Sequence, residues 1–248
     1  MFMRFVHMRV KTEFLPVIRK IYDEEVIPQL QKMEGCLFAC LVRSEQQLDE
    51  GISLTLWDSA EHAETYVKSG IYNMLLNKLQ PYFSDASEWK VQLSKDLTLE
   101  YQLIRDEPIV KSYASLAQSE EKLPEDMMFL RILSHKIRPG KMDEFKKIYL
   151  EDIMPTLKSV KGCRYAYLTT GIEDKDEAIS ITIWNNKQDA DAYEKGGVYN
   201  SLVQKVKHTF SDIYQWKMAL EQDKSRRMVT SNDLSVKYYS VLSVKGFR

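Results

Sequence analysis

Cysteine is scarce: the 248 residues hold three, Cys36, Cys40 and Cys163, with no CxxC pair. An odd, sparse set argues against a disulfide framework and for a reducing cytoplasm. Charge of one sign is lacking too. With 35 Lys and Arg against 36 Asp and Glu, the net charge of -1 gives no reason to expect nucleic acid or membrane as a partner. No apolar run approaches the roughly 20 residues that span a bilayer. The start, Met1-Phe2-Met3-Arg4-Phe5, lacks the apolar core of a signal peptide. HExxH, GxGxxG, P-loop and metal-ligand spacings are all absent, so neither cofactor nor metal is expected. A cytoplasmic globular protein is the expectation, with length for two domains of about 100 residues each.

What is present is a repeat. A shift of 127 residues lays Gly35-Cys36 on Gly162-Cys163, Trp57 on Trp184, Tyr72-Asn73 on Tyr199-Asn200, and Phe83-Ser84-Asp85 on Phe210-Ser211-Asp212. Trp89 falls on Trp216, and no gap is needed from Pro28/Pro155 to Leu93/Leu220. Such a fixed shift marks two copies of one folding unit.

Each copy reads as strand, helix, strand, strand, helix, strand. Arg4 to Val10 alternates like a strand. Phe14, Val17, Ile18, Ile21, Tyr22 and Leu30 then recur at helical spacing. Pro28 and Pro155 fall late in that helix and should kink or loosen it. Glycines 35 and 162 follow as its stop. Strands are expected over Cys36–Arg43 and Ile52–Trp57. Ser59 and Asn185 or Asn186 are N-cap candidates for a second helix, interrupted near Gly70 and Gly197. Trp89 and its neighbours give a fourth strand. A fifth is expected at Leu97–Ile104, matched by Leu234–Leu242 after a charged insertion around Lys224-Ser225-Arg226-Arg227. The expected division is a domain over 1–105, a polar connector over 106–126 with a short helix through Tyr113–Leu116, and a second domain over 127–248.

A βαββαβ unit is the ferredoxin-like α+β arrangement, with both helices on one face of an antiparallel sheet. Ile52, Leu54 and Leu56 point one way; Ser53, Thr55 and Trp57 point the other. The second copy repeats this with Ile179, Ile181 and Ile183 against Ser180, Thr182 and Trp184. A bare aliphatic face must be buried, and the same face of the other copy is the simplest partner. The two sheets are therefore expected to close as an intrachain pseudo-dimeric barrel.

Gly35-Cys36-Leu37, the strand end Leu56-Trp57-Asp58-Ser59 and the glycine-broken helix Ala60–Leu76 resemble the antibiotic biosynthesis monooxygenase domain of the dimeric α+β barrel superfamily. Gly162-Cys163-Arg164 and Ile183-Trp184-Asn185-Asn186 carry the likeness in the second copy. The resemblance implies cofactor-free oxygenation of phenolic substrates, haem degradation, or no known reaction. In the polyketide oxygenases a site asparagine lies four residues before the tryptophan, where this chain has Ser53 and Ser180. Their tyrosine six residues after it is here Ala63 and Ala190. In the haem-degrading members a tryptophan on the second helix precedes an iron-ligating histidine. Those positions hold Tyr66 and Leu76, and Tyr193 and Val203. Leucine and valine cannot ligate iron, which disfavours haem.

Trp57 and Trp184 read either as core anchors or as pocket walls. Tyr72-Asn73 and Tyr199-Asn200, at the helix break, either cap the resumed helix or polarise a substrate oxygen. Tyr66 and Tyr193 are candidates for the same cleft. Arg4 and Arg131 can hold an anionic or enolate oxygen, or pair with an acid at the sheet edge. His135 shares the Arg131 face and is a candidate general base in the second copy alone, since Met8 is its counterpart. His7 faces the opposite side. His62 and His208 read as surface residues, and the cysteines as small buried hydrophobes. The expected partner is a small molecule. A cofactor-independent monooxygenase, a non-catalytic or stress-related binding protein, and, last, a haem binder are the functional readings. Assembly beyond the internal pseudo-dimer stays open.

Overall fold

A computed structural model describes residues 1–93, 99–105, 109–118, 129–172, 175–211 and 234–247. The expected insertion around Lys224–Arg227, and Trp216, lie outside them.

The first half opens with β1 (Phe2–Arg9), followed by α1 (Leu15–Ile21), a π-turn (Tyr22–Val26) and α2 (Ile27–Gln31). β2 (Cys36–Ser44) and β3 (Glu50–Trp57) form a hairpin, and α3 (Ala60–Lys68) and α4 (Ile71–Leu79) complete the helical layer. β4 (Asp85–Leu93), β5 (Leu99–Arg105) and β6 (Ile109–Gln118) follow. The second half repeats the order with β7 (Phe129–Lys136), α5 (Met142–Ile148), a π-turn (Tyr149–Ile153) and α6 (Met154–Ser159). It continues through β8 (Cys163–Gly171), β9 (Glu177–Trp184), α7 (Lys187–Lys195), α8 (Val198–Val206) and β10 (Leu234–Gly246).

Eight strands close one antiparallel barrel in the order β1-β3-β2-β10-β7-β9-β8-β6. Each half supplies a four-stranded ferredoxin-like sheet, β6-β1-β3-β2 and β10-β7-β9-β8. The last strand of each half also pairs with the other half: β10 with β2, and β6 with β8. The barrel is therefore the pseudo-dimer, closed within one chain.

Its interior is built from the aliphatic faces expected to meet. Ile52, Leu54 and Leu56 pack in one buried cluster with Ile179, Ile181 and Ile183, together with Met3, Phe5, Leu130 and Ile132. Two further clusters, one per half, fill the space between the outer sheet faces and the helices. Strand alternation thus divides the apolar residues of each half between a shared core and a private one.

Two expectations are corrected. Residues 113–116 are not helical; they belong to β6, the fourth barrel strand of the first half. The strands read as fourth and fifth, β4 and β5, pair with each other in a separate two-stranded sheet. The counterpart of β10 is thus β6 rather than β5. Tyr113 is in register with Gly171 and Tyr239 with Ser44, and both strands slip register two residues later.

The prolines act as expected, by a specific device. Proline lacks the N–H that would bond the carbonyl four residues back, and its ring crowds that carbonyl. The chain widens into a π-turn immediately before Ile27-Pro28 and Met154-Pro155. Ser59 and Asn186 cap α3 and α7, accepting from His62 N at 3.2 Å and Asp189 N at 2.9 Å. Gly70 and Gly197, at φ +79° and +83°, break the second helix where a side chain would be strained. Among the described residues no helix is long and apolar enough to cross a membrane.

Candidate functional site

In each half a cleft lies between the outer face of the sheet and the helices. β1 and β3 supply the floor of the first with Arg4, Val6, Met8, Ser53 and Thr55. The roof comes from Tyr22 on the π-turn, Tyr66 on α3, and Tyr72, Leu75, Leu76 and Leu79 on α4. The second cleft is its copy: Arg131, Leu133, His135, Ser180 and Thr182 below, with Tyr149, Tyr193, Tyr199, Leu202, Val203 and Val206 above. The space between floor and roof, with the open solvent at the mouth included, is about 450 and 380 Å3.

The walls are ordered by stacking and hydrogen bonds that recur in both copies. Trp57 donates its indole N–H to Thr55 Oγ1 at 2.9 Å, and Trp184 to Thr182 Oγ1 at 2.9 Å. Tyr66 lies on Trp57 with centroids 5.4 Å apart, and Tyr193 on Trp184 at 5.0 Å. Both tryptophans are fully buried behind those tyrosines and line neither cleft. The arginines sit against the other tyrosine, with Arg4 Cζ 4.0 Å from the Tyr72 ring centre and Arg131 Cζ 4.4 Å from that of Tyr199.

The expected residues divide clearly. Arg4, Ser53, Tyr66 and Tyr72 meet in the first cleft, and Arg131, His135, Ser180, Tyr193 and Tyr199 in the second. Asn73 and Asn200 do not join them. Each follows a cleft tyrosine by one residue, about 100° around the helix, and is exposed. Tyr22 and Tyr149 belong to the site; by sequence Tyr22 reads only as an apolar helix position, and Tyr149 is not singled out. Tyr22 Oη shares a hydrogen bond of 3.0 Å with Ser53 Oγ, and Tyr149 Oη one of 2.6 Å with Ser180 Oγ. Their recurrence at the 127-residue shift was the available signal.

Burial governs the proton affinities. It pushes the phenols of Tyr22, Tyr66, Tyr149, Tyr193 and Tyr199 up, with the arginine charge partly opposing it at Tyr66, Tyr193 and Tyr199. It also pushes Cys36, Cys40 and Cys163 up to about 12, so these thiols do not ionise at neutral pH.

His135 is different in kind. It is 4% exposed, lies between the rings of Phe145 and Phe210 at 5.3 Å each, and shares the second cleft with Arg131. Neither ring nitrogen has a hydrogen-bond partner among the described residues. Burial, then the Arg131 charge, pushes its pKa down to about 3, so the imidazole is a neutral acceptor. A second asymmetry accompanies it. Arg131 Nη2 lies 3.6 Å from Glu194 Oε1, whereas the matched position in the first half is Val67. His7 lies apart, stacked on Phe5 of the barrel interior.

The residues do not suit haem iron. Leu76 and Val203, at the positions where the haem-degrading members carry their ligand, line the two clefts and have no donor atom. Among the described residues no three His, Cys, Asp or Glu side chains are grouped to hold a metal.

A family model described as antibiotic biosynthesis monooxygenase matches residues 1–89 and 128–205. The chain belongs to this family, in two copies. Its fold is similar to that of a candidate monooxygenase from Fusobacterium nucleatum, with TM-score 0.70 and 9% identity over 99% of this chain and 94% of that one. A candidate monooxygenase from Lactobacillus acidophilus gives 0.68 and 8%, over 99% and 95%. An anthrone oxidase-like protein gives 0.57 and 13%, over 99% and 92%. At such identities the likeness is one of fold. No curated protein matches the sequence.

Proposed function

We propose that the second cleft belongs to a cofactor-independent monooxygenase that oxidises an aromatic or phenolic small molecule with dioxygen. The observation that carries this is His135, a neutral and unpartnered imidazole facing the same cleft as Arg131. Such an imidazole takes the substrate's acidic proton, and the resulting phenolate or enolate oxygen lies beside the guanidinium. Burial and the arginine charge hold the free imidazole neutral. An anion formed between the two cations offsets both effects, so the basicity rises as the proton moves. The electron-rich carbon then reacts with dioxygen. For a methylene carbon between two aromatic rings, one dioxygen converts the methylene to a ketone and releases one water. Four electrons leave the carbon and both of its C–H bonds break. One oxygen atom stays on the carbon, and the other leaves as water with the two hydrogens. Membership of the family supports the reading.

The test is oxygen uptake with anthrone-type phenols. Wild-type protein is expected to consume one dioxygen per substrate above the uncatalysed rate. His135→Phe, which keeps the apolar packing, should lower the rate about 100-fold or more. No uptake above background across such a panel, or full activity in the variant, overturns the proposal. Binding without chemistry is the better reading for the first cleft, because Met8 stands where His135 does in the second.

A further inference from the structure

We infer that the first cleft is a binding site for an apolar monocarboxylate, distinct in ligand class from the second. Arg4 is 5% exposed and lines the cleft, with its guanidinium over the Tyr72 ring. Arginine stays charged at any accessible pH. A buried charge is costly unless it is paired, and among the described residues no carboxylate lies within ion-pair distance of Arg4. The second half shows what is missing. There Glu194 on α7 approaches Arg131, and at the matched place on α3 stands Val67, packed into the apolar cluster of the first half.

The remaining lining defines the ligand. Val6, Met8, Leu75, Leu76 and Phe83 offer no charge and favour an apolar body. Beside the guanidinium, the hydroxyls of the Tyr22–Ser53 pair and of Thr55, Tyr66 and Tyr72 are the polar groups of the lining. A carboxylate meets the planar guanidinium with two parallel hydrogen bonds, and its ring or chain lies along the leucines. In the second cleft Glu194 already lies 3.6 Å from the arginine, so a ligand that enters as an anion gains less there than beside Arg4. The assignment stands whether or not the second cleft turns over a substrate.

The experiment is calorimetric titration of the whole protein with 2-naphthoate and with its neutral counterpart 2-naphthamide. The acid is expected to bind with a stoichiometry of one and at least tenfold more tightly than the amide. Arg4→Met should remove that preference. Val67→Glu, which installs the second half's acid, should reduce naphthoate affinity at least tenfold with amide binding little changed. Glu194→Val should raise the stoichiometry for naphthoate from one to two. Absence of saturable naphthoate binding at millimolar concentration, equal affinity for acid and amide, or a Val67→Glu protein of native melting behaviour that binds naphthoate unchanged each overturns the inference.

Discussion

The two clefts share a scaffold and differ at two positions where one half carries a polar side chain and the other an apolar one. Trp57 and Trp184, Tyr66 and Tyr193, and the paired hydroxyls of Tyr22–Ser53 and Tyr149–Ser180 are equivalent in place and contact, and Arg4 and Arg131 each sit against a tyrosine ring. Met8 stands against His135, and Val67 against Glu194. The stacked aromatic wall needs both partners to pack, so it resists change in either copy. The groups facing the cleft void touch less, and one copy can alter them without disturbing the barrel. Fusion makes this available: a homodimer must carry any substitution in both sites.

The comparison breaks first, and with the largest effect, at the tryptophans. Both are fully buried and both donate to a threonine. Trp57→Ala and Trp184→Ala should each lower stability by about 3–5 kcal/mol, read from urea denaturation. Similar losses sustain structural equivalence of the halves. A small loss in one would mean that its wall is not a packed core element.

Much of this architecture was legible because it rests on period and repetition. The Ile52-Leu54-Leu56 alternation names the barrel-facing side, and the glycines at 70 and 197 place the helix break. The last barrel strands escaped for a specific reason. Val110-Lys111 and Tyr113 recur as Val236-Lys237 and Tyr239, at a shift of 126 rather than 127. A fixed-shift reading therefore passes over them and takes the β5 segment instead. Tyr22 was hidden in a helical apolar pattern, and only the π-turn before Pro28 aims its hydroxyl at Ser53. Val67 and Glu194 carry no repeat signal at all. A difference between copies gains meaning only once both positions are seen to lie beside an arginine.

His135 sharpens the comparison through pH. Its folded pKa is depressed to about 3 against 6.5 for an ordinary histidine. The unfolded chain therefore binds its proton first as pH falls. Stability from the neutral imidazole is complete above pH 6.5 and declines below it by about 1.4 kcal/mol per unit until the folded group also protonates near 3. Between neutrality and pH 5 the loss should be about 2 kcal/mol, and His135→Phe should remove that part of the pH dependence. Met8→Leu in the other half should leave it in place. Identical pH profiles for wild type and His135→Phe would mean that the histidine reaches water or a partner in the folded state.

The smallest test concerns a surface contact that both halves keep. Lys78 on α4 pairs with Glu25 of the first π-turn, and Lys205 on α8 pairs with Asp152 of the second at 2.9 Å. Each pair joins the second helix to the widened turn that carries Tyr22 or Tyr149, so it bridges the roof of a cleft. All four side chains are more than a third exposed, where solvent and salt screen the attraction. Lys78→Met and Lys205→Met should therefore each change stability by less than about 1 kcal/mol, with the difference shrinking further at about 1 M salt. A loss well above that in either variant would show that the bridge, rather than the apolar packing beneath it, holds α4 or α8 over its cleft.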